Sequence, residues 1–461
     1  MKLKTLMQSG LTALAGAALA AGSAAILAKE LPEGTVISAD NLDAIADDTF
    51  EGHKIRDLLT GPLEEQVRKY GLKMPLEHSS EVKFGNEWEQ ATKANAGKAS
   101  IAADGSIKGY AGAGVPFPMD QIRADDPQCG QKLVWNYYYA APTITNSWAA
   151  TGEVFILDAK AGVVNNFVAQ NVVMKWDGRY GDTPTLPGLP NEHARFVLVL
   201  TAPYDIAGIG VLNRQYSDAK EDEGYVYVRA MRRTRRTPGG KSWIDPQPKM
   251  NLLNDDSQGL QANPMWYSNW KCVAERHVLE VVDMPDLNYA NKLHDINNWV
   301  DVKNPPHWNY INTRYQPRKV FVVEGTPPDY HPYGKKVLYM EASAPFFYHG
   351  EFYDKKDTLW KIWHTRYAPY WNGDCKGQPN LGNFNTLTID VQAQRTTYIN
   401  QTINAHDCFD PSFLDPSILQ RAATGEMQAQ MDAVHKAYMS RPALPQYQAA
   451  KEAWLKEHPA K

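Results

Sequence analysis

Cysteine is scarce in this chain of 461 residues: Cys129, Cys272, Cys375 and Cys408 are the only four, and no two form a C-x-x-C pair. That spacing argues against a thiolate-held metal and against a thioredoxin-like redox centre. Several catalytic signatures are also missing. There is no G-x-S-x-G elbow, no H-E-x-x-H, no phosphate-binding P-loop and no dinucleotide G-x-G-x-x-G. Beyond the N-terminus no apolar run approaches the length needed to span a bilayer as a helix. Strands and helices do not alternate, which argues against a doubly wound nucleotide-binding fold. Positive charge is in deficit too, with 48 Lys and Arg against 52 Asp and Glu. A mildly acidic chain is a poor partner for nucleic acid.

What is present begins at the N-terminus. The basic Met1-Lys2-Leu3-Lys4 leads into an Ala-rich apolar run through Leu27, with small-residue cleavage sites near Ala20, Ala25 and Ala28. This pattern reads as a secretory signal peptide over residues 1–28. No cysteine lies near the cleavage sites, so the expectation is a periplasmic, soluble protein without a lipid anchor. In that oxidising compartment an even number of cysteines suggests disulfides. Cys375 with Cys408, the closest pair, is the favoured bridge. Cys129 with Cys272 follows by elimination, although spacing does not fix the connectivity.

Residues 29–130 read as N-terminal helices and an extended arm, with helices over 38–46 and 52–70 and a polar arm over 76–115. Pro62 suits a first helical turn, Leu63, Val67 and Tyr70 share a face, and Gly71 supplies the stop. From Leu133 a helix or a strand opens. Residues 131–410 then alternate as strands, at 153–159, 166–176, 195–201, 225–233, 276–282, 319–324, 336–341, 346–353, 359–367 and 386–398. Short turns between them, such as Asp354-Lys355-Lys356-Asp357, imply antiparallel pairing. Residues 411–461 read as C-terminal helices, one carrying Met427, Met431, Val434 and Tyr438 on one face and another over 446–455.

One stretch combines an apolar strand with a cluster of cations. Tyr225, Val226, Tyr227 and Val228 alternate, and Arg232, Arg233, Arg235 and Arg236 follow within a few residues. Continued as a single strand, this places Val226, Val228, Arg232 and Arg236 on one face and Tyr225, Tyr227, Arg233 and Arg235 on the other, and a bulge near Ala230 would exchange the two sets. Tyr225–Val228 with Arg232 and Arg236 are therefore candidates to bind an amphipathic ligand, the tail on the sheet and an acidic head on the guanidinium groups. The competing reading is a charged edge strand that discourages edge-to-edge pairing. Asp329, His331, His349 and His364 could assemble an acid–base or metal site, but their spacing is that of turns and strands, and His331 in a His-Pro-Tyr-Gly turn suits fixing that turn. Trp360, Trp363 and Tyr367 suit sheet packing better than carbohydrate stacking.

An ordered series of short motifs resembles a family of periplasmic proteins of unknown function that is similar to outer-membrane lipoprotein-sorting proteins. The series runs through Gly109-Tyr110, Gly114-Val115-Pro116-Phe117-Pro118, Asp126-Pro127, Trp135-Asn136 and Ala202-Pro203-Tyr204-Asp205. It continues with the tyrosine–arginine stretch, Asn254-Asp255-Asp256-Ser257, Val323-Glu324-Gly325, His331-Pro332-Tyr333-Gly334-Lys335-Lys336 and Glu351-Phe352-Tyr353-Asp354. The chain departs from the family's acidic pattern at Ser257-Gln258-Gly259-Leu260. The resemblance implies an α+β, β-rich, lipoprotein-carrier-like fold: a strongly curved, incomplete antiparallel β-barrel covered by helices. It further implies a carrier or chaperone for a hydrophobic, lipid-like ligand, with no cofactor or metal, working beside an outer-membrane protein or a resistance-nodulation-division type exporter. A periplasmic hydrolase acting on lipid or glycan, or an envelope assembly partner without a small ligand, are the alternatives.

Overall fold

The structure, a computed structural model, describes residues 28–82, 86–110, 113–140, 146–180, 185–237, 243–247, 250–282, 295–370, 380–406 and 414–422, with a few isolated positions beyond. The signal-peptide run, Cys375, Cys408, the Met427–Tyr438 face and the 446–455 helix lie outside the described residues.

Thirteen strands form one antiparallel sheet. In chain order they are β1 (Ser147–Asp158), β2 (Gly162–Lys175), β3 (Glu192–Ala202), β4 (Gly210–Tyr216), β5 (Glu223–Val228), β6 (Arg233–Arg236) and β7 (Ser268–Glu280). They continue with β8 (Gln316–Thr326), β9 (Lys335–Glu341), β10 (Phe347–Tyr353), β11 (Leu359–Tyr370), β12 (Asn380–Asp390) and β13 (Arg395–His406). The spatial order is β6-β5-β4-β3-β2-β1-β13-β12-β11-β10-β9-β8-β7. The chain thus enters mid-sheet, meanders to one edge at β6, crosses to the other edge at β7 and meanders back until β13 pairs with β1. Only that last pairing joins strands distant in sequence. Among the described residues the two edges do not pair, and the expected strongly curved, incomplete barrel is the fold observed.

The topology forces one consequence. A segment leaving one edge strand and entering the opposite one must traverse the width of the sheet. The described residues of this connection, 243–247 and 250–267, lie across the concave side and carry short 3-10 turns at Asn254–Gly259 and Pro264–Trp266. We call this segment the crossover.

Among the described residues six α-helices and three two-stranded ladders accompany the sheet, and four of the helices matter here. On the convex side, α1 (Gly61–Tyr70) is capped as its sequence demands: Leu63 N donates to Thr60 Oγ1 at 3.2 Å, and Gly71 takes a left-handed φ of 69°. It buries Leu63 and Val67 against Ile362, Leu387, Ile389 and Tyr398 of the sheet. The helix expected over 52–70 is in fact this one preceded by a single turn at Ile55–Leu58. The 76–115 stretch holds a helix, α2 (Asn86–Asn95), whose Trp88 is buried, so it is more than an extended arm.

On the concave side lies α3 (Cys129–Ala140), the element whose type the sequence left open. Ten of its twelve residues are buried, and a helix buried on nearly every side has no face to offer water. Cys129 is bonded to Cys272, tying α3 to edge strand β7 with Cα atoms 5.7 Å apart. Gly130 makes this approach possible, since a Cβ there would stand 2.5 Å from Lys271 N. At the other edge α4 (Ile418–Ala422) buries Ile418 and Leu419 on Leu212 and Tyr227. With both faces covered, β9 is buried at six of its seven positions, the charged Lys336 and Glu341 among them.

Beyond shifts at strand ends, three strand readings differ in kind from the structure. Strand β4 was not anticipated, because its Gly210-Val211-Leu212-Asn213-Arg214 is too polar for clean alternation. The 386–398 segment is two strands joined by a turn after Asp390. The 225–233 segment is a hairpin: a 3-10 turn at Arg229–Met231 ends on Arg232, whose φ of 48° reverses the chain into β6.

Candidate functional site

Two features occupy the concave side: a buried ionic cluster that pins the crossover, and a cavity beside it. Asp255 and Asp256, both 0% exposed, enter the concave face from the crossover. Opposite them β9 contributes Lys336 and β11 contributes Lys361, on inward positions that face each other through Phe352 of β10. Lys336 Nζ lies 2.8 Å from Asp255 and 3.5 Å from Asp256, and Lys361 Nζ lies 3.0 Å from Asp256. Tyr333 Oη donates to Asp256 at 2.7 Å, Tyr267 Oη donates to Asp255, and the backbone N–H of Ala262 donates to Asp255 at 3.0 Å. Lys336 also donates to the Asp255 and Gly259 carbonyls.

Burial alone would raise both carboxyls, but the two ammonium groups outweigh it and hold Asp255 and Asp256 below the usual carboxylate range. Burial pushes the Tyr267 and Tyr333 hydroxyls well up, so they stay protonated donors. His331 Nε2 sits 3.2 Å from Asp255, while its Nδ1 accepts from Tyr333 N at 3.0 Å. Burial lowers its pKa despite that aspartate, so the ring is a neutral donor that fixes the Pro332–Tyr333 turn. Two motifs far apart in sequence, Asn254–Ser257 and His331–Lys336, therefore meet in one cluster.

The cavity lies next to this cluster, between the crossover and strands β1, β2, β3, β11, β12 and β13. Val154, Ala169, Leu198 and Ile399 form its sheet wall, and Met250 and Leu252 of the crossover roof it. Its volume is about 50 Å³. A second chamber of about 40 Å³, walled by Tyr138, Val173 and Leu260, shares Phe196, Ser257 and Gln258 with the first. Such spaces admit a few waters, each needing about 10–15 Å³, and not an acyl chain. A larger guest must displace the crossover. Ser257 and Gln258, where the sequence departs from the family's acidic pattern, are the partition between the chambers.

Val226 faces Val211, which faces Leu198, so the valine face continues the cavity wall two strands outward. Tyr225 and Tyr227 pack on the opposite side with Leu212 and α4. The hairpin changes the arginine assignment. Arg236 stands opposite Tyr225 and pairs with Glu223 at 3.2 Å, whereas Arg235 stands opposite Val226 and Arg233 opposite Val228. Arg232 is exposed at the tip. The faces are swapped because the chain reverses where a continuous strand was assumed. None of these six residues lines either chamber.

The Asp/His set does not converge. Asp329 is exposed and His331 belongs to the concave cluster. His349 and His364 lie on the convex side, their ring centroids 5.8 Å apart, with His349 bonded to Glu280 and His364 to Gln66 of α1. No group of three metal-ligating side chains occurs among the described residues. Trp363, read as a packing residue, is 1% exposed and lines the cavity. Sequence reasoning missed Asn171, Gln401, Lys336 and Lys361 as site residues. The available signal for the last two was period-two spacing, Lys336 with Leu338 and Met340 and Lys361 with Trp363.

The fold and site define a class: an open antiparallel half-barrel whose concave face is roofed by a helix and a pinned crossover. Residues 36–431 match the family described as "Protein of unknown function (DUF1329)", and the chain belongs to that family. No curated protein matches it. Among solved structures it is similar to a DUF1329 family protein from Desulfovibrio piger, at 15% identity and a TM-score of 0.43, covering 64% of this chain and 99% of that one. It is also similar to a putative outer membrane lipoprotein-sorting protein domain from Vibrio parahaemolyticus, at 14% identity and a TM-score of 0.41, covering 60% and 92%. A LolA superfamily protein from Nitrosomonas europaea matches at 13% identity and a TM-score of 0.34, covering 59% and 90%. No helix among the described residues is long and apolar enough to cross a membrane.

Proposed function

We propose that this protein is a periplasmic carrier or chaperone that binds an amphipathic, lipid-like molecule between the concave sheet face and the crossover. The carrying observation is the chambered cavity, whose apolar wall of Val154, Ala169, Leu198 and Ile399 is roofed by a chain segment pinned by the Asp–Lys cluster. Half-buried Leu198, Met250 and Ile399 offer apolar surface that a ligand would cover. Each methylene buried there contributes about 0.8 kcal/mol. The Asp–Lys cluster anchors the crossover at Asp255 and Asp256, whereas among the described residues 250–252 meet the sheet's polar groups only through Asn251 Nδ2, which donates to Asp390 at 3.3 Å, so this is the part a guest would lift. The exposed Arg232, Arg233 and Arg235 form a cationic rim suited to an acidic envelope partner, an outer-membrane protein or a resistance-nodulation-division type exporter. The N-terminal run of the sequence supports export to the periplasm.

Mass spectrometry of the organic extract from protein purified out of its native envelope tests this reading. A stoichiometric amphiphile is expected, and protein that carries none while folded and intact contradicts it.

A further inference from the structure

The two chambers share a chemical property that the carrier reading does not specify. Neither is lined by an Asp, Glu, Lys, Arg or His. The charged groups nearest along the crossover, Asp255 and Asp256, are already bound to Lys336 and Lys361. Yet the lining is not wholly apolar. Asn171 Oδ1, Gln401 Oε1 and Trp363 Nε1 are buried and make no hydrogen bond among the described residues. Their side chains are 8%, 5% and 1% exposed, and all three line the larger chamber.

Register brings them together. Gln401 faces Gly152 across β13 and β1, Gly152 faces Ala169 of β2, and Asn171 is the next inward residue on β2. Gly152 keeps the space open, since a Cβ there would stand 3.2 Å from Asn171 Nδ2. Thr386 lines the same chamber and faces Ile399.

A buried polar atom left unpaired is destabilising, so two amides and an indole N–H at one cavity are a standing demand for hydrogen-bonding partners. A charged head entering the same cavity would lose its hydration and meet no counter-ion. We infer that the concave-face cavity selects a neutral amphiphile whose head carries hydroxyl or amide groups, held between Asn171, Gln401 and Trp363, and discriminates against anionic lipids of the same chain length. This rests on the carrier reading and assigns its ligand class.

The test is displacement of a neutral, environment-sensitive naphthylamine dye from the delipidated full-length protein, by 1-monooleoylglycerol and by 1-oleoyl-lysophosphatidylglycerol. The neutral lipid should reach half-displacement at a concentration at least about tenfold lower, tenfold being the equivalent of 1.4 kcal/mol. Asn171→Leu with Gln401→Leu should shrink that preference to under about threefold. Gln258→Lys, which places a cation on the partition and leaves both amides in place, should reverse it. Equal or better displacement by the anionic lipid on the unaltered protein overturns the neutral-head assignment while leaving the carrier reading standing. Absence of any dye binding or displacement overturns the carrier reading itself, and this assignment with it.

Discussion

Lys361 Nζ lies 3.0 Å from the Asp256 carboxylate, a contact between β11 and the crossover that joins residues 105 positions apart, with both side chains sealed from solvent. Breaking a buried pair from one side leaves an uncompensated charge and destabilises by about 3–5 kcal/mol. Asp256→Ala should therefore lower the thermal midpoint by several degrees. Asp256→Leu combined with Lys361→Met should recover most of the loss, because similar-sized apolar groups replace both charges. A double variant no more stable than the single one would remove the pair from its anchoring role.

Stability should fall as pH drops below neutrality, with His331 as one contributor. Burial depresses its folded pKa below the unfolded value near 6.5, so the folded state resists a proton that the unfolded state accepts. The contribution is complete above pH 6.5 and declines below it by up to about 1.4 kcal/mol per pH unit until the folded pKa is reached. His331→Gln should flatten that slope in denaturation series between pH 7 and 5. A second decline belongs to Asp255 and Asp256, whose depressed pKa values make their stabilisation present above pH ~4 and lost as pH falls further.

The Cys129–Cys272 bond closes a span of 143 residues and fixes α3 to the sheet edge. In the chain-entropy model a loop of that size is worth up to about 5 kcal/mol. Replacing both cysteines by alanine should lower the melting temperature clearly, and should speed hydrogen exchange in α3 more than in α1 on the opposite face.

Substitution of Arg232, Arg233 and Arg235 by alanine should change stability by less than about 0.5 kcal/mol each, since all three are exposed. The account expects ligand retention to be kept and delivery to an acceptor membrane or partner to be slowed. Loss of retention instead would put these arginines at the ligand.

How much of this was legible in the sequence depends on the range of the signal. Strand alternation and turn residues are local, and they yielded most of the strands and the antiparallel character of the sheet. Helix α1 was readable from Pro62 and Gly71 for the same reason. The hairpin at Arg232 escaped because nothing in Arg229-Ala230-Met231-Arg232 announces a reversal; no Gly or Asn occupies the left-handed position. That single turn exchanged the faces of Arg233, Arg235 and Arg236. The site was less legible still. Asn171 and Gln401 look like ordinary polar strand residues, and only the β13–β1 pairing, made between strands at opposite ends of the meander, sets them around one cavity. Asp255, Asp256, His331 and Lys336 were visible as motifs, but their convergence depends on the crossover's path over the concave face.

Hydrogen exchange on delipidated protein with and without 1-monooleoylglycerol tests the central claim most directly. The account predicts slowed exchange in crossover residues 250–260 and in the β2 and β13 segments around Asn171 and Gln401, with the Arg229–Arg236 hairpin unchanged. Slowing confined to the hairpin or to the convex face, or none at all despite saturating lipid, would contradict a binding site beneath the crossover.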